Sequence, residues 1–393
     1  MSAKEATLYT NKRDCCGCGA CVDICGRSAI EMHMDFEGFL YPRIDRSKCI
    51  NCGRCEAVCP LKCSHEAPMP ETCYAAKFEA YREGSSSGGA FPALAKIILD
   101  RGGVVIGAGY TEDMTVAHYA AENWADLQKL RVSKYVQSDC RGAYRTAVDA
   151  LKAGRWVLFT GTPCQSEAMR KFAGSISNQE EVSSRLLTMD IACHGVPSPG
   201  LWARYRDYLE KRYKGKLEAF VFREKRNHDR ACSFSYRVGN MERILKRGDD
   251  DFGALFDHYE SLRLSCYSCP FATPARNTDL TFADAWGIEK VRPDFEDGMG
   301  VSLIIPHTPI GWEMWREIQN QAECLEFPME TLRQRRLRMP PPLGKHRKAV
   351  LYLWRLMPTA LYLRLMRIIC NPLRLLKQLV RKAKRILKRM LRK

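Results

Sequence analysis

Nineteen of the 393 residues are cysteine, and ten of them fall before residue 64. Two runs repeat one spacing: Cys15-x2-Cys18-x2-Cys21-x3-Cys25, then Cys49-x2-Cys52-x2-Cys55-x3-Cys59 followed by Pro60. A tight loop of that spacing can wrap three thiolates around one 4Fe-4S cube, while the fourth, at the start of a short helix, reaches the other cube. By that crossed rule Cys15, Cys18, Cys21 and Cys59 hold one cluster, and Cys49, Cys52, Cys55 and Cys25 hold the second. Gly17, Gly19 and Gly53 leave room for backbone to bend around the sulfides. Zinc also takes four thiolates, but it usually does so with two separated pairs rather than a repeated run of four. Cys16, Cys63 and Cys73 fall outside the spacing and read as spare thiols. Two low-potential clusters in series move single electrons between a surface partner and something deeper.

More cysteines stand where a larger domain would place them. Gly161-Thr162-Pro163-Cys164-Gln165 follows a predicted strand, as does Cys193-His194-Gly195-Val196-Pro197-Ser198-Pro199, so both cysteines lie at strand carboxyl ends. Cys266-x2-Cys269-Pro270 sits in a loop-like segment, ahead of Arg276 and the stretch Asp279-Leu280-Thr281-Phe282-Ala283-Asp284-Ala285-Trp286-Gly287. Four thiolates suffice for a third 4Fe-4S cluster or an all-cysteine zinc site. Equally, Cys164 and Cys193 could be buried apolar thiols and Cys266/Cys269 a redox pair. Gly84-Ser85-Ser86-Ser87-Gly88-Gly89, ahead of a helix, could receive a phosphate or be a plain loop. Lys134-Tyr135-Val136-Gln137-Ser138 adds a cation, an aromatic face and a hydroxyl.

The elements that must hold these residues alternate in type. Apolar periodicity predicts helices over Phe91–Asp100, Ala125–Val132, Arg141–Ala153 and Leu201–Arg212. Strands are predicted over Gly103–Tyr110, Trp156–Thr160, Leu186–Ile191 and Phe220–Arg223. The fold class expected is mixed α+β and α/β in three parts. Residues 1–68 form a bacterial-type dicluster ferredoxin fold, residues 69–335 a larger mixed α/β domain, and residues 336–393 a helical basic tail.

Composition is that of a globular chain, with 46% hydrophobic and 27% charged residues, which excludes disordered and fibrous classes. The net charge of +17 is unevenly spread: residues 331–393 carry 20 Lys and Arg and no Asp or Glu, leaving −3 on the rest. In the tail, Leu373, Leu376, Val380, Leu387 and Met390 recur at helical spacing opposite Arg374, Lys377, Arg381, Lys384, Arg385 and Lys388. The stretch from Leu351 to Cys370 is more apolar but is broken by Arg355, Pro358, Arg364 and Arg367, so it suits an interfacial helix rather than a span. An anionic membrane surface is the expected partner of this tail. A solvated arm is the bland alternative. Nucleic acid is not expected, because no aromatic residue follows Tyr362 to stack on bases. The charged first 20 residues lack an apolar stretch, so a reducing, cytoplasmic setting is expected, with peripheral contact at the inner face of the membrane.

Two resemblances sharpen this reading. Residues 10–62 are similar to bacterial dicluster ferredoxins, with Gly26 where the first run usually has proline. From about Tyr74 to Pro328 the motifs Ser-Ser-Ser-Gly-Gly-Ala-Phe, Lys-Tyr-Val-Gln-Ser, Gly-Thr-Pro-Cys-Gln, Cys-His-Gly-Val-Pro-Ser-Pro, Cys-x2-Cys-Pro-Phe and Asp-x-Thr-x-x-Asp-x-Trp-Gly resemble, in order, the coenzyme F420 hydrogenase/dehydrogenase beta subunit family. The resemblance implies a flavin-dependent iron-sulfur oxidoreductase with FAD and at least one 4Fe-4S cluster. It makes Cys164, Cys193, Cys266 and Cys269 the third-cluster ligands and Ser87, Gly88, Gly89, Lys134 and Ser138 the flavin-binding stretch. His194 then donates a hydrogen bond to a cluster sulfide, delivers a proton to reduced flavin, or caps a loop. The arrangement looks most like the bacterial branch associated with polysaccharide gene clusters, and ferredoxin or another redox protein is the expected donor. An electron-transfer module serving a partner enzyme, and a zinc adaptor, are the readings from other classes.

Overall fold

The computed structural model describes residues 5–62, 66–176, 184–225, 233–246 and 249–370. The first unit is built around the two cysteine loops. Each leads into a one-turn helix, Ala20–Asp23 and Arg54–Ala57, entered through a glycine in the left-handed region, Gly19 at φ 82° and Gly53 at φ 74°. Strands β1 (Ile30–Met34) and β2 (Leu40–Ile44) pair antiparallel between the loops, from Ile30 opposite Ile44 to Met34 opposite Leu40.

The second unit carries a mixed sheet made of β3 (Thr72–Lys77), β4 (Val104–Tyr110), β5 (Val116–Ala121), β6 (Val157–Thr160) and β7 (Leu186–Ile191) with the later strands β11 (Leu280–Asp284), β12 (Ser302–Pro306) and β13 (Glu323–Pro328). Its order is β13-β3-β12-β11-β7-β6-β4-β5. The central strands β11, β7, β6 and β4 run parallel, and antiparallel pairs finish both edges. Parallel strands are covered on both faces, which is why β6 reads Val-Leu-Phe-Thr with every residue buried. Val157 and Phe159 face the helices Ala143–Lys152 and Pro163–Gly174, and Leu158 faces Ala90–Asp100 and Pro309–Gln319. A separate antiparallel sheet, β8 (Leu217–Glu224), β9 (Ser233–Val238) and β10 (Met241–Leu245), packs on the helix Pro199–Tyr213. Trp202 of that helix meets Phe220 edge-on at 5.0 Å and donates from Nε1 to the Met114 carbonyl at 2.7 Å, so its one polar atom is satisfied inside an aromatic core.

All eight predicted elements of the body are present, with ends moved by a few residues; Leu186–Ile191 is unchanged, while Phe220–Arg223 is the middle of β8. The helix Pro163–Gly174 and the strands β3, β5 and β9 to β13 lie outside that prediction.

The beginning of the basic tail is part of the folded body. Helices Arg347–Leu356 and Thr359–Cys370 bury Val350, Leu351, Trp354, Tyr362, Leu363 and Met366 in the aromatic core. The stretch Leu351 to Cys370 therefore turns its apolar stripe to protein, which departs from the interfacial helix expected of it. Tyr352, Leu356, Leu361 and Ile368 remain exposed on the other side. The tail residues Leu373, Leu376, Val380, Leu387 and Met390, with the basic residues between them, lie outside the described residues, as does Cys63. No described helix is long and apolar enough to cross a membrane.

Candidate iron-sulfur centres and their junction

Within the first unit Cys59 of the second run comes to the first-run cysteines. Burial raises the Cys21 thiol well above its usual value, with Cys18, Cys15 and Cys59 adding to the effect. Burial also pushes Cys59 up to about 12, again with Cys18 and Cys15 as its sulfur neighbours. Cys55 is raised by burial, with Cys52 and Cys49 nearby. Cys25 accepts a hydrogen bond from the Ala29 amide at 3.3 Å. Cys52 is exposed and Ile50 beside it is 61% exposed, so the second loop faces outward while the first faces the body.

The body cysteines converge from three places in the sequence. Thr162 caps the helix Pro163–Gly174 and Pro163 takes its first position; Gln165 Oε1 accepts from the Thr162 amide and hydroxyl, both at 2.9 Å. Cys164 thus stands in the first turn, where the helix dipole favours a thiolate. Cys193 follows the neighbouring parallel strand β7 at the same end of the sheet. The 3-10 helix Leu264–Ser268 supplies Cys266, and Cys269 follows it. All four line one cleft of about 560 Å³, counting its open mouth.

The chemistry of that donor set suits an iron-sulfur cluster. The cleft wall holds cysteines, prolines and small or apolar residues, with no carboxylate or imidazole among its lining residues. Among the described residues no three His, Cys, Asp or Glu side chains close around a single metal ion. Burial raises Cys193 well above its usual value and brings Cys266 to about 11 and Cys269 to about 12. Thiols so placed lose their protons only when a cation takes up the charge. Arg276, buried and with its Nη2 unpartnered, contributes a lowering charge at Cys269.

The two sets of cysteines meet through Cys16, a residue that the spacing left spare. Cys16 lines the same cleft, and its thiol is raised by its neighbours Cys164 and Cys18 and by burial. Donation by Cys16 is the largest influence on Cys164 and lowers it to about 7, while Cys16 itself is held protonated. The surrounding junction is polar and closed. Gln137 Nε2 donates to the Cys16 carbonyl at 2.9 Å, Tyr144 Oη to the Cys18 carbonyl at 3.1 Å, and Arg263 Nε to the Cys15 carbonyl at 2.8 Å. Gly17, at φ 69°, is what lets the loop sit there: a Cβ would lie 2.6 Å from Arg263 Nη1. Cys73, by contrast, is a core thiol of β3 at 0% exposure.

The flavin-stretch residues occupy a different part of the body and are largely committed to packing. Ser87 Oγ donates to the Val301 carbonyl at 2.8 Å, and a Cβ on Gly88 would stand 2.3 Å from the Ala76 carbonyl oxygen. Gly89, at φ 90°, caps the helix Ala90–Asp100. Lys134 Nζ donates to the carbonyls of Lys129 and Arg131, at 3.0 and 2.7 Å, and desolvation lowers it to about 7. Ser138 Oγ accepts from Gln165 Nε2 at 3.0 Å, which ties it to the Cys164 helix instead. The Ser/Gly loop does meet the Lys134 segment: the Ser133 amide donates to Ser86 Oγ at 2.9 Å. Beside them Arg131 keeps a buried Nε without a partner, and Lys225 donates to the Ser87 carbonyl at 2.7 Å, so the loop offers cationic groups near a helix N-terminus, as a flavin phosphate would require. His194 is half-buried between Cys193 and Gly195, which line the cleft where His194 does not.

Comparison with known proteins supplies the family. Residues 154–331 match the family of the C-terminal part of the beta subunit of coenzyme F420 hydrogenase/dehydrogenase, and residues 14–63 match the 4Fe-4S dicluster domain. No curated protein matches the chain. Among solved structures, a chain of the F420-reducing NiFe hydrogenase complex from Methanosarcina barkeri is similar at 18% identity and a TM-score of 0.45, over 73% of this chain and 90% of that one. The two matched segments together take in more than half of the sequence, and they contain every cysteine of both runs and of the cleft. The chain joins a 4Fe-4S dicluster domain to a coenzyme F420 hydrogenase/dehydrogenase beta subunit domain and is an iron-sulfur electron-transfer protein of that beta-subunit type.

Proposed function

We propose that the protein is an oxidoreductase that passes electrons between a ferredoxin-like donor, two N-terminal 4Fe-4S clusters, a third 4Fe-4S cluster and FAD, and on to a substrate. The observation that carries the proposal is the cleft whose wall is shared by Cys16 of the first loop and by Cys164, Cys193, Cys266 and Cys269 of the body. Clusters supply one-electron steps, and a flavin converts them into a two-electron transfer. Cys15, Cys18, Cys21 and Cys59 would hold the inner N-terminal cluster, Cys25, Cys49, Cys52 and Cys55 the outer one, and Cys164, Cys193, Cys266 and Cys269 the third. The exposed loop at Ile50 and Cys52 suits a docking redox protein. The loop Ser86–Gly89 with Arg131 and Lys225 would take the flavin phosphates. The fusion of the dicluster domain to the larger domain, with a long basic tail, favours the polysaccharide-associated branch as the setting.

Anaerobic reconstitution tests the cluster count. About twelve iron atoms per chain are expected, four for each cluster, and Cys266→Ser should remove about four of them. Eight iron atoms with no loss in that variant would remove the third cluster. Extraction of the bound flavin, if any, separates the flavoenzyme from the alternative, an electron-transfer module serving a partner enzyme. That alternative draws on the same exposed Cys52 loop.

A further inference from the structure

Arg263 is 0% exposed, and its hydrogen bonds go to no carboxylate. Nε donates to the Cys15 carbonyl at 2.8 Å, Nη1 to Gln137 Oε1 at 3.1 Å, and Nη2 to the Leu40 carbonyl at 2.9 Å and to Cys15 Sγ at 3.5 Å. Its carbon centre lies 4.0 Å from the Tyr41 ring centroid. A guanidinium cannot shed its proton to escape, so a buried one calls for negative charge close by. Cys15 Sγ accepts from Nη2 at 3.5 Å, and the Cys266 amide donates to the Arg263 carbonyl at 3.1 Å, so a candidate ligand of each cluster adjoins Arg263 and would carry negative charge once a cluster is bound.

We propose that Arg263 is the electrostatic link between the inner N-terminal cluster and the body cluster, a fixed positive charge that raises both reduction potentials and so keeps the junction passable in either direction. The proposal rests on the reading of Cys15 and Cys266 as cluster ligands. Each electron that a cluster accepts from a reduced ferredoxin-type donor makes it one unit more negative, and the donor is oxidised by the same one electron. A cation beside the ligand sulfurs stabilises the reduced form more than the oxidised form, which is a rise in potential. The outer cluster, on the exposed second loop and without a ligand in contact with Arg263, shifts less and serves as an internal reference.

The test is a redox titration, followed by electron paramagnetic resonance, of the anaerobically purified full chain with iron and sulfide counted in parallel. Arg263→Gln should keep its iron while the reduction equilibrium of the inner cluster falls about tenfold, about 59 mV for one electron. Arg263→Lys should recover most of that shift, because the charge stays. Gln137→Glu places a carboxylate against the guanidinium without touching Arg263 itself, and the same fall is expected; it carries the test if the glutamine variant does not fold. Potentials that stay at the parent value in iron-replete Arg263→Gln or Gln137→Glu protein overturn the proposal, as does a lysine variant that falls as far as glutamine. About eight iron atoms or fewer in the parent protein would instead remove the cluster reading beneath it.

Discussion

Cys16 and Cys164 stand on the wall of one cleft, so a side chain of the ferredoxin-like loop adjoins a candidate ligand of the body, whose thiol it lowers. Cys16 shares the cleft wall with the four body cysteines but stands outside both repeated spacings. Its arrangement is that of a donor to a ligand sulfur, and hydrogen bonds to sulfur are one of the protein's means of setting a cluster's potential. Cys16→Ala should therefore retain its iron and lower the midpoint of the body cluster by the worth of one such bond, about 0.5–1.5 kcal/mol. Metal analysis with potentiometric titration checks both halves. A loss of about four iron atoms would make Cys16 a ligand instead.

The end of the sheet that carries Cys193 is braced by an ion pair inside the protein. Arg276 Nη1 donates to Asp190 Oδ2 at 2.8 Å, and Thr278 and Thr281 donate to the same carboxylate at 2.8 and 2.6 Å. Both members of the pair are buried, so removing one charge strands the other. Asp190→Asn should cost about 3–5 kcal/mol of stability, read as a lower midpoint in thermal or denaturant unfolding. Replacing both, Asp190→Asn with Arg276→Met, should cost less than the single change.

The ferredoxin-like unit is held by the C-terminal strap as well as by its own loops. Arg347, 3% exposed, donates to both Glu37 oxygens at 2.9 and 2.6 Å, and Trp354 Nε1 donates to the Phe36 carbonyl at 3.2 Å. Ser198, which caps the helix Pro199–Tyr213, donates to the Glu37 carbonyl at 2.7 Å. Glu37→Gln leaves a buried guanidinium with half its partner. The expected result is a loss of about 3 kcal/mol and earlier hydrogen exchange in β1 and β2 than in the central sheet.

What the sequence made legible follows from how each signal is encoded. Cys15 to Cys59 carry their chemistry in local spacing, so the 4Fe-4S dicluster domain could be read directly. Cys164, Cys193, Cys266 and Cys269 could be gathered only through the order of their motifs, because no local spacing relates three places that meet at a sheet end. Cys16 and Arg263 were opaque, since each gets its meaning from the other unit's backbone and sulfurs. One signal was present and unused: Thr162-Pro163-Cys164-Gln165 is a capping box with proline at the first position, which announces the Pro163–Gly174 helix. The stretch Leu351–Cys370 misled for the opposite reason. A basic amphipathic stripe has the same pattern whether a membrane or an aromatic core receives it, and here Trp202, Phe252 and their neighbours do.

Acid should loosen the body in a definite window. His118 Nε2 donates to the Thr160 carbonyl at 2.9 Å and Nδ1 accepts from Cys140 at 3.2 Å, while burial lowers the ring to about 4. Because the folded value lies below the usual 6.5, the ring's contribution is intact above about pH 6.5 and is lost as pH falls toward 4, where the unfolded chain takes the proton first. The limit is about 3 kcal/mol for this residue, with roughly 2 kcal/mol gone by about pH 5. His118→Gln should lose less stability than the parent between about pH 7 and pH 5 in paired thermal scans. Parallel pH slopes would mean that His118 is not the group responsible.

The remaining tail can be separated from the strap at Cys370. Residues 371–393 hold ten Lys and Arg and no Asp or Glu, and each cation close to an anionic leaflet is worth about 1 kcal/mol. Because helices Arg347–Leu356 and Thr359–Cys370 are packed in the body, a chain ending at Pro340 would disturb the fold, whereas one ending at Cys370 keeps Arg367 on Asp251 at 2.6 Å. The full chain should float with vesicles containing phosphatidylserine and be released by high salt, and the chain ending at Cys370 should stay behind. Equal flotation of both would move the contact to the exposed face of Tyr352, Leu356, Leu361 and Ile368, and flotation of neither would end the membrane reading.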